Sequence, residues 1–177
     1  MNFIIHPDEL FLKGDNKGFF YYKLLANLRA LFNGAKAKRI ESGIWLELKE
    51  SEEKEKAIWR LTKIPGIANV AEADMIGNSI TEIEEAVETK LSKRNFLNKN
   101  VRFRVTVNRV NKAYPMNSLQ IAKKLGEFVQ DKYKFKVDLS NFDLDINVNI
   151  LQKNAIVYLN PQKGAGGLPT GSMGNVL

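Results

Sequence analysis

The sequence predicts an α+β protein, and three observations support this fold class. Segments that alternate apolar and polar residues, as strands do, take turns with segments that show the apolar spacing of helices. Gly77-Asn78-Ser79 interrupts this series near its middle. The chain has 177 residues, 44% of them hydrophobic and 27% charged, which is the balance of a globular protein with one ordinary domain or two small ones.

The first half of the chain is predicted to contain four strands and two helices. Phe20, Leu24 and Leu28 recur at helical spacing, and Ser42-Gly43 is a tight turn typical of a hairpin. The order strand, helix, strand, strand, helix, strand is the ferredoxin-like arrangement, in which two helices cover one face of an antiparallel sheet. The predicted elements are a strand from Asn2 to His6, a helix from Asn16 to Leu31 or Phe32, strands from Ala35 to Glu41 and from Ile44 to Lys49, a helix capped by Ser51, and a strand from Ile67 to Ile76.

The second half is predicted to be α/β as well. Thr81 and Glu84 have the spacing of a capping box and predict the start of a helix. The residues from Val101 to Val107 alternate strictly, which predicts a strand with one face in the core. The remaining predicted elements are a helix that begins at Asn117 or Ser118 and a hairpin of Leu144 to Ile150 with Ala155 to Leu159.

The composition argues against catalysis and metal binding. The chain has no cysteine and one histidine, His6, so we expect no disulfide, no thiolate nucleophile, no catalytic residue and no metal site. Asp143 and Asp145 lie two apart on a strand and can share a face, but we interpret them as structural. No apolar run is long enough to span a membrane and no leader is evident, so we expect a cytoplasmic protein without a membrane partner.

The net positive charge of the chain equals the excess of one stretch of the sequence, because basic and acidic residues cancel outside it. From Arg102 to Lys136 there are nine basic and two acidic residues. The net charge of this stretch, +7, equals the net charge of the whole chain. A localised excess favours a polyanionic partner, because a surface that follows phosphates needs charges from several elements. The alternative is a solvated lysine-rich face.

We predict an RNA-binding surface built mainly on this basic stretch. Tyr114 is a candidate for stacking on an unpaired base. Gly126, inside the predicted helix that carries Lys123 and Lys124, is interpreted as a site of close packing between helix and sheet. The predicted RNA-binding residues are Arg102, Arg104, Arg109, Lys112, Tyr114, Lys123 and Lys124, with Lys13 and Lys17 as an extension from the first domain.

The end of the chain is predicted to be a linker. Its glycines lack the Gly-Lys-Ser/Thr sequence that a phosphate-binding P-loop requires, and no apolar period is present. We therefore divide the chain into residues 1–76, residues 77–163 and a Gly-rich linker of residues 164–177.

Three separated motifs resemble known proteins. Val107-Asn108-Arg109, followed by Lys112 and by Tyr114-Pro115-Met116, resembles the signature of the THUMP domain, an RNA-binding module. Lys13-Gly14 and Ile64-Pro65-Gly66-Ile67 resemble the ferredoxin-like domain that precedes THUMP in the tRNA 4-thiouridine synthetase family. The segment from Gly166 to Gly171 resembles the entry to the PP-loop domain of that family. One departure is Asn141-Phe142-Asp143, where the family usually has Asn-Pro-Asp.

The resemblance implies a ferredoxin-like domain and a THUMP domain that hold the acceptor stem and 3′ end of tRNA. In this family a PP-loop domain then thiolates the uridine at position 8, using ATP and Mg. Its ATP loop and catalytic cysteine would follow Leu177, so we expect this chain to bind no cofactor and to catalyse no reaction by itself. The resemblance further implies a cysteine desulfurase as sulfur donor to the full-length enzyme and a possible homodimer.

Two other functions stay open at this point. The same module occurs in RNA methyltransferases and pseudouridine synthases. A ferredoxin-like regulatory or oligomerisation module would bind no nucleic acid.

Overall fold

The computed structural model describes residues 1–8, 17–49, 53–94, 96 and 100–172. It divides into two compact units. Unit 1 comprises Met1–Glu72 together with Pro161–Leu177, and unit 2 comprises Ala73–Asn160. The predicted α+β class is confirmed in both units.

Unit 1 contains an antiparallel sheet. Its strands are β1 (Asn2–Pro7), β2 (Lys36–Ile40), β3 (Gly43–Glu47), the first part of β4 (Ile67–Gly77) and β9 (Gln162–Lys163). The strand order is β2-β3-β1-β4, with β9 paired to β4. This order, with β1 between β3 and β4, confirms the ferredoxin-like topology.

Two helices and a single core complete unit 1. Helix α1 spans Lys17–Leu31 and helix α2 spans Lys54–Thr62. The predicted stripe of α1 is confirmed, since Phe20, Leu24 and Leu28 are buried, and it continues to Phe32 rather than Leu31. These side chains share one core with apolar residues of the sheet such as Phe3 and Leu46.

Unit 2 has a mixed sheet with its helices α3 (Ile80–Ser92) and α4 (Ser118–Tyr133). Besides the last part of β4, its strands are β5 (Arg102–Arg109), β6 (Lys136–Val137), β7 (Leu144–Ile150) and β8 (Asn154–Leu159). The strand order is β4-β8-β7-β5-β6. Strands β7 and β8 form the predicted antiparallel hairpin, whereas β5 runs parallel to β7.

One predicted helix cap was wrong, and another lies outside the described residues. Helix α3 is capped by Ser79, whose hydroxyl accepts from the backbone N–H of Glu82, so the capping box lies two residues before the Thr81 and Glu84 pair. Helix α2 begins after Glu53, which makes no side-chain cap. The predicted cap Ser51 lies outside the described residues. The α3 error arises because Asn78, Ser79 and Thr81 all have capping chemistry and stand close together at the start of the helix.

The described part of the predicted linker, residues 164–172, folds onto unit 1 directly after strand β9. Strand β9 pairs with β4, and the backbone N–H of Gly166 donates to the carbonyl of Ile67 at 2.8 Å. The backbone N–H of Gly167 donates to Oδ2 of Asp8, also at 2.8 Å. The linker role and the domain boundaries of this region stay predictions.

None of the helices in the described part of the chain is long and apolar enough to cross a membrane.

Candidate functional site

Arg102 lies at the start of β5 and is paired with Asp143. Its Nε donates to Oδ2 of Asp143 at 3.2 Å, and its Nη2 donates to Oδ1 at 3.1 Å. These two bonds, together with one from the Arg102 backbone N–H, hold the pKa of the Asp143 carboxyl below its usual range. Both side chains are about half exposed, at 45% and 51%. The ion pair therefore orients the guanidinium and leaves its Nη1 edge without a hydrogen bond among the described residues.

Arg104, two residues further along β5, is paired in the same way with a more buried carboxylate. Its Nε and Nη2 donate to Oδ1 and Oδ2 of Asp145 at 3.0 and 2.7 Å. Thr106 Oγ1 donates to the same carboxylate at 3.1 Å. The centre of the Phe142 ring lies 3.8 Å from the Arg104 guanidinium carbon. Arg104 is thus held by the Asp145 carboxylate and the Phe142 ring, and its charge is balanced locally.

Arg109, at the end of β5, braces the loop that follows it. Its Nη1 donates to the carbonyl of Lys112 at 3.0 Å and to that of Tyr114 at 3.3 Å. The bonds shape the loop from within, and Lys112 is exposed at its surface. The Lys112 ammonium is consequently available to an anion, while the guanidinium of Arg109 has a structural role in the loop.

Tyr114 joins this loop to the start of α3. Its hydroxyl donates to the carbonyl of Asn78 at 2.7 Å, and burial raises the pKa of the Tyr114 phenol. The ring packs against the core of unit 2 and lines a cleft of about 470 Å³. The other residues that line the cleft are Asn78, Ser79, Ile80, Asn111, Ala113, Pro115 and Met116.

Lys123 and Lys124 are both exposed on α4, opposite the core residues Ile121 and Leu125. The helix begins with a capping box in which Asn117 Oδ1 accepts from the backbone N–H of Gln120 at 2.9 Å. Lys123 lies 3.9 Å from Glu127, a contact of two well-exposed side chains that is worth little in water. The helix has three lysines against Glu127 and Asp131, and the third, Lys132, is paired with Glu88 of α3.

The nine predicted RNA-binding residues differ in where they lie and in which groups they contact. Eight lie in the described part of the chain, and seven of these belong to unit 2. Lys17 is at the start of α1 in unit 1, and Lys13 lies outside the described residues. Sequence reasoning missed that Asp143 and Asp145 are the partners of the two β5 arginines. The opposite charges of these residues could have indicated the two ion pairs, but the register of β5 against β7 could not be predicted from the sequence.

The described residues offer no cluster of metal-binding side chains. His6 is part of β1, and its Nδ1 lies 2.7 Å from Oδ1 of Asn69. Burial lowers the pKa of His6, which keeps the ring neutral at pH 7.

Two family models match the sequence. Residues 2–71 match the ThiI ferredoxin-like domain, and residues 77–160 match the THUMP domain. Together the two models account for both of the domain types that the motifs indicated.

Curated relatives and solved structures show the same likeness. A "Probable tRNA sulfurtransferase" of Caldanaerobacter subterraneus subsp. tengcongensis is 35% identical over 97% of this chain, which spans 44% of that relative. PH1313 of Pyrococcus horikoshii Ot3 superposes with a TM-score of 0.80 at 25% identity, over 97% of this chain and 58% of that one. A 4-thiouridine synthetase, solved with RNA and bound ATP, superposes with a TM-score of 0.76 at 25% identity, over 96% of this chain and 43% of that one.

Proposed function

We propose that the chain is the tRNA-binding part of a tRNA sulfurtransferase, because its two halves match the family models of the ThiI ferredoxin-like domain and of the THUMP domain. The observation that carries the proposal is the basic excess between Arg102 and Lys136, which includes exposed ammonium groups on the β5–α4 loop and on α4. A solved relative that holds RNA supports the same reading. The substrate is tRNA, gripped at its acceptor stem and 3′ end.

The surface divides its work between two kinds of cation. Lys112, Lys123 and Lys124 are mobile point charges that attract the phosphate backbone. Arg102 is held in place by a half-exposed carboxylate and so presents a preoriented guanidinium edge to a phosphate, whereas Arg104 is more buried and neutralised by Asp145 and contributes less. Because the A-form major groove is too narrow for side chains, contacts of this kind recognise the shape of a stem and not its sequence.

The cleft beside Tyr114 is the proposed place for an unpaired base. Its volume lies within the range of roughly 300–1,000 Å³ typical of ligand pockets. The Tyr114 ring and Met116 supply apolar surface, and the amides of Asn78 and Asn111 line the same cleft. A base at the 3′ end of the RNA can stack there while the stem follows the lysines.

Catalysis is proposed to belong to the remainder of the longer protein. This chain spans less than half of the sulfurtransferase relative described above. We propose that it positions the uridine at position 8 and does not thiolate it. The ATP and Mg, the sulfur from a cysteine desulfurase, and any homodimer contacts would then concern the full-length enzyme.

Fluorescence anisotropy of labelled tRNA tests the proposal. The native chain is expected to bind intact tRNA with an affinity that falls as salt rises, and to bind the same tRNA less tightly when its 3′ CCA end is removed. Lys123→Glu combined with Lys124→Glu is expected to lower the affinity at least tenfold and to reduce the salt dependence.

The matched control is Lys93→Glu with Lys153→Glu. These lysines are also exposed and belong to unit 2, but they lie outside the basic stretch. Equal affinity of the two double variants would contradict the assignment of this surface. A native chain that binds neither RNA at low salt would contradict the proposed function itself.

A further inference from the structure

Helix α1 of unit 1 is apolar on two sides. One side is buried in the core through Phe20, Leu24 and Leu28. The other side carries Phe19 and Tyr22, which are 47% and 65% exposed. These two residues are three positions apart, so their rings lie on the same face of the helix. Exposed rings of this size on a helix indicate a contact that the isolated unit leaves unmade.

The surroundings of these rings are basic. Between Lys17 and Ile40 the sequence has six basic residues and no acidic residue. This second basic stretch is hidden in the composition, because acidic residues elsewhere in the chain cancel it. It forms α1 and β2, both of which belong to unit 1.

Cations stand directly beside aromatic rings here. Lys23 Nζ lies 5.6 Å from the centre of the Phe19 ring, and the Arg39 guanidinium carbon lies 4.2 Å from the centre of the Tyr21 ring. Arg29 is held near β2 by a 2.7 Å bond from its Nη2 to the carbonyl of Ala37. The exposed Phe19 ring thus has the Lys23 ammonium beside it, Arg39 stands over the half-buried Tyr21 ring, and neither α1 nor β2 carries a carboxylate.

We propose that this α1 face, defined by Phe19, Tyr22 and Lys23, is a stacking surface for unpaired nucleotides of RNA. Unpaired nucleotides offer flat π-systems joined by phosphates, so rings interleaved with cations bind both of their parts. A stable protein partner would need roughly 800 Å² of surface from this side, far more than two exposed rings provide. The inference rests on the proposed function and adds a second contact, on unit 1, to the surface of unit 2.

Helix α2 offers a matched control within the same unit. Trp59 is 63% exposed, and Lys63 Nζ lies 5.8 Å from its ring centre. One turn earlier, Glu55 places a negative charge on the same side of the helix. Trp59 therefore resembles Phe19 in exposure and in its lysine partner, but a carboxylate stands beside it.

The test uses a 12-nucleotide single-stranded RNA that contains 2-aminopurine, together with a blunt RNA hairpin that has no unpaired end. We expect the native chain to quench the 2-aminopurine fluorescence by stacking. Phe19→Ala with Tyr22→Ala is expected to weaken binding of the single strand about tenfold per ring, and to leave the hairpin affinity unchanged. In the Phe19→Ala background, the additional substitution Tyr22→Trp is expected to restore the quenching. Trp59→Ala is expected to leave the affinity for the single strand and for the hairpin unchanged.

Each result separates the inference from the proposed function. If both RNAs bind the double variant as they bind the native chain, the α1 face is not a stacking surface, whereas the function proposed for unit 2 stands. If Trp59→Ala weakens the single strand as much as the double variant does, the effect is not specific to α1 and the inference fails. A change in sedimentation without a change in RNA affinity would assign the face to a second copy of the chain. If the native chain binds no RNA at all, both proposals fall.

Discussion

Arg104 and Asp145 face each other on the parallel strands β5 and β7 and form a bidentate ion pair with bonds of 3.0 and 2.7 Å. The carboxylate side chain is 8% exposed, so it relies on Arg104 and Thr106 in place of water. The neighbouring pair of Arg102 and Asp143 has the same geometry but is open to solvent. Both are bidentate arginine–aspartate pairs, so comparing them shows how burial of the carboxylate affects the stability that each pair contributes.

Asp145→Asn is expected to lower the free energy of unfolding by about 1–3 kcal/mol, because it removes one buried partner of a charged hydrogen-bonded pair. Asp143→Asn is expected to cost clearly less, since water can solvate the exposed Arg102 after the change. Urea denaturation of the two variants measures the difference. Equal losses would show that burial of the Asp145 carboxylate does not matter.

The single histidine gives a clean pH prediction. Burial lowers the pKa of His6 below its ordinary value of 6.5, while the bond to Asn69 opposes this shift. In acid the unfolded chain therefore takes up a proton more readily than the folded chain does, and stability falls as the pH drops from 6.5 toward the lowered pKa. NMR titration of the one imidazole measures the pKa directly, and a value of 6.5 or more would contradict the prediction. In His6→Gln this part of the pH dependence is expected to vanish.

Gly66→Ala is expected to destabilise unit 1 by about 2 kcal/mol or more. Gly66 has a φ of +94°, and a Cβ there would lie 2.9 Å from the backbone nitrogen of Pro169. Gly18→Ala is the control, because a Cβ at Gly18 meets nothing within 4 Å. Thermal unfolding and limited proteolysis after residue 160 would show whether the C-terminal segment loosens. Similar stability of the two variants would mean that Pro169 does not pack on Gly66.

Gly126→Ala is expected to stabilise unit 2 by up to about 1 kcal/mol, since alanine loses less backbone entropy in a helix than glycine does. The sequence suggested that Gly126 allows close packing of the helix on the sheet. That interpretation was wrong, because a Cβ at this position would meet no atom within 4 Å. Urea denaturation tests the sign, and a loss of stability would restore the packing interpretation.

Local patterns in the sequence determined the architecture of both units. The apolar spacing of α1, the alternation in β5 and the turn at Ser42-Gly43 are set by residues close in the chain, so they could be read directly. The basic stretch was equally legible, because charge is a property of composition. The family resemblance rested on motifs of the same local kind.

The tertiary structure alone decided which charges are available and where the segment from Pro161 to Ser172 lies. Arg104 meets Asp145 across 41 positions of sequence because β5 and β7 pair in parallel in one particular register, which no local pattern specifies. Strands β6 and β9 have two residues each, too short to show any period, and they exist only because the edges of β5 and β4 offer unpaired backbone groups. The exposure of Phe19 and Tyr22 was also decided by the tertiary structure. The helical period of α1 shows that two sides are apolar, but only packing shows which side stays exposed.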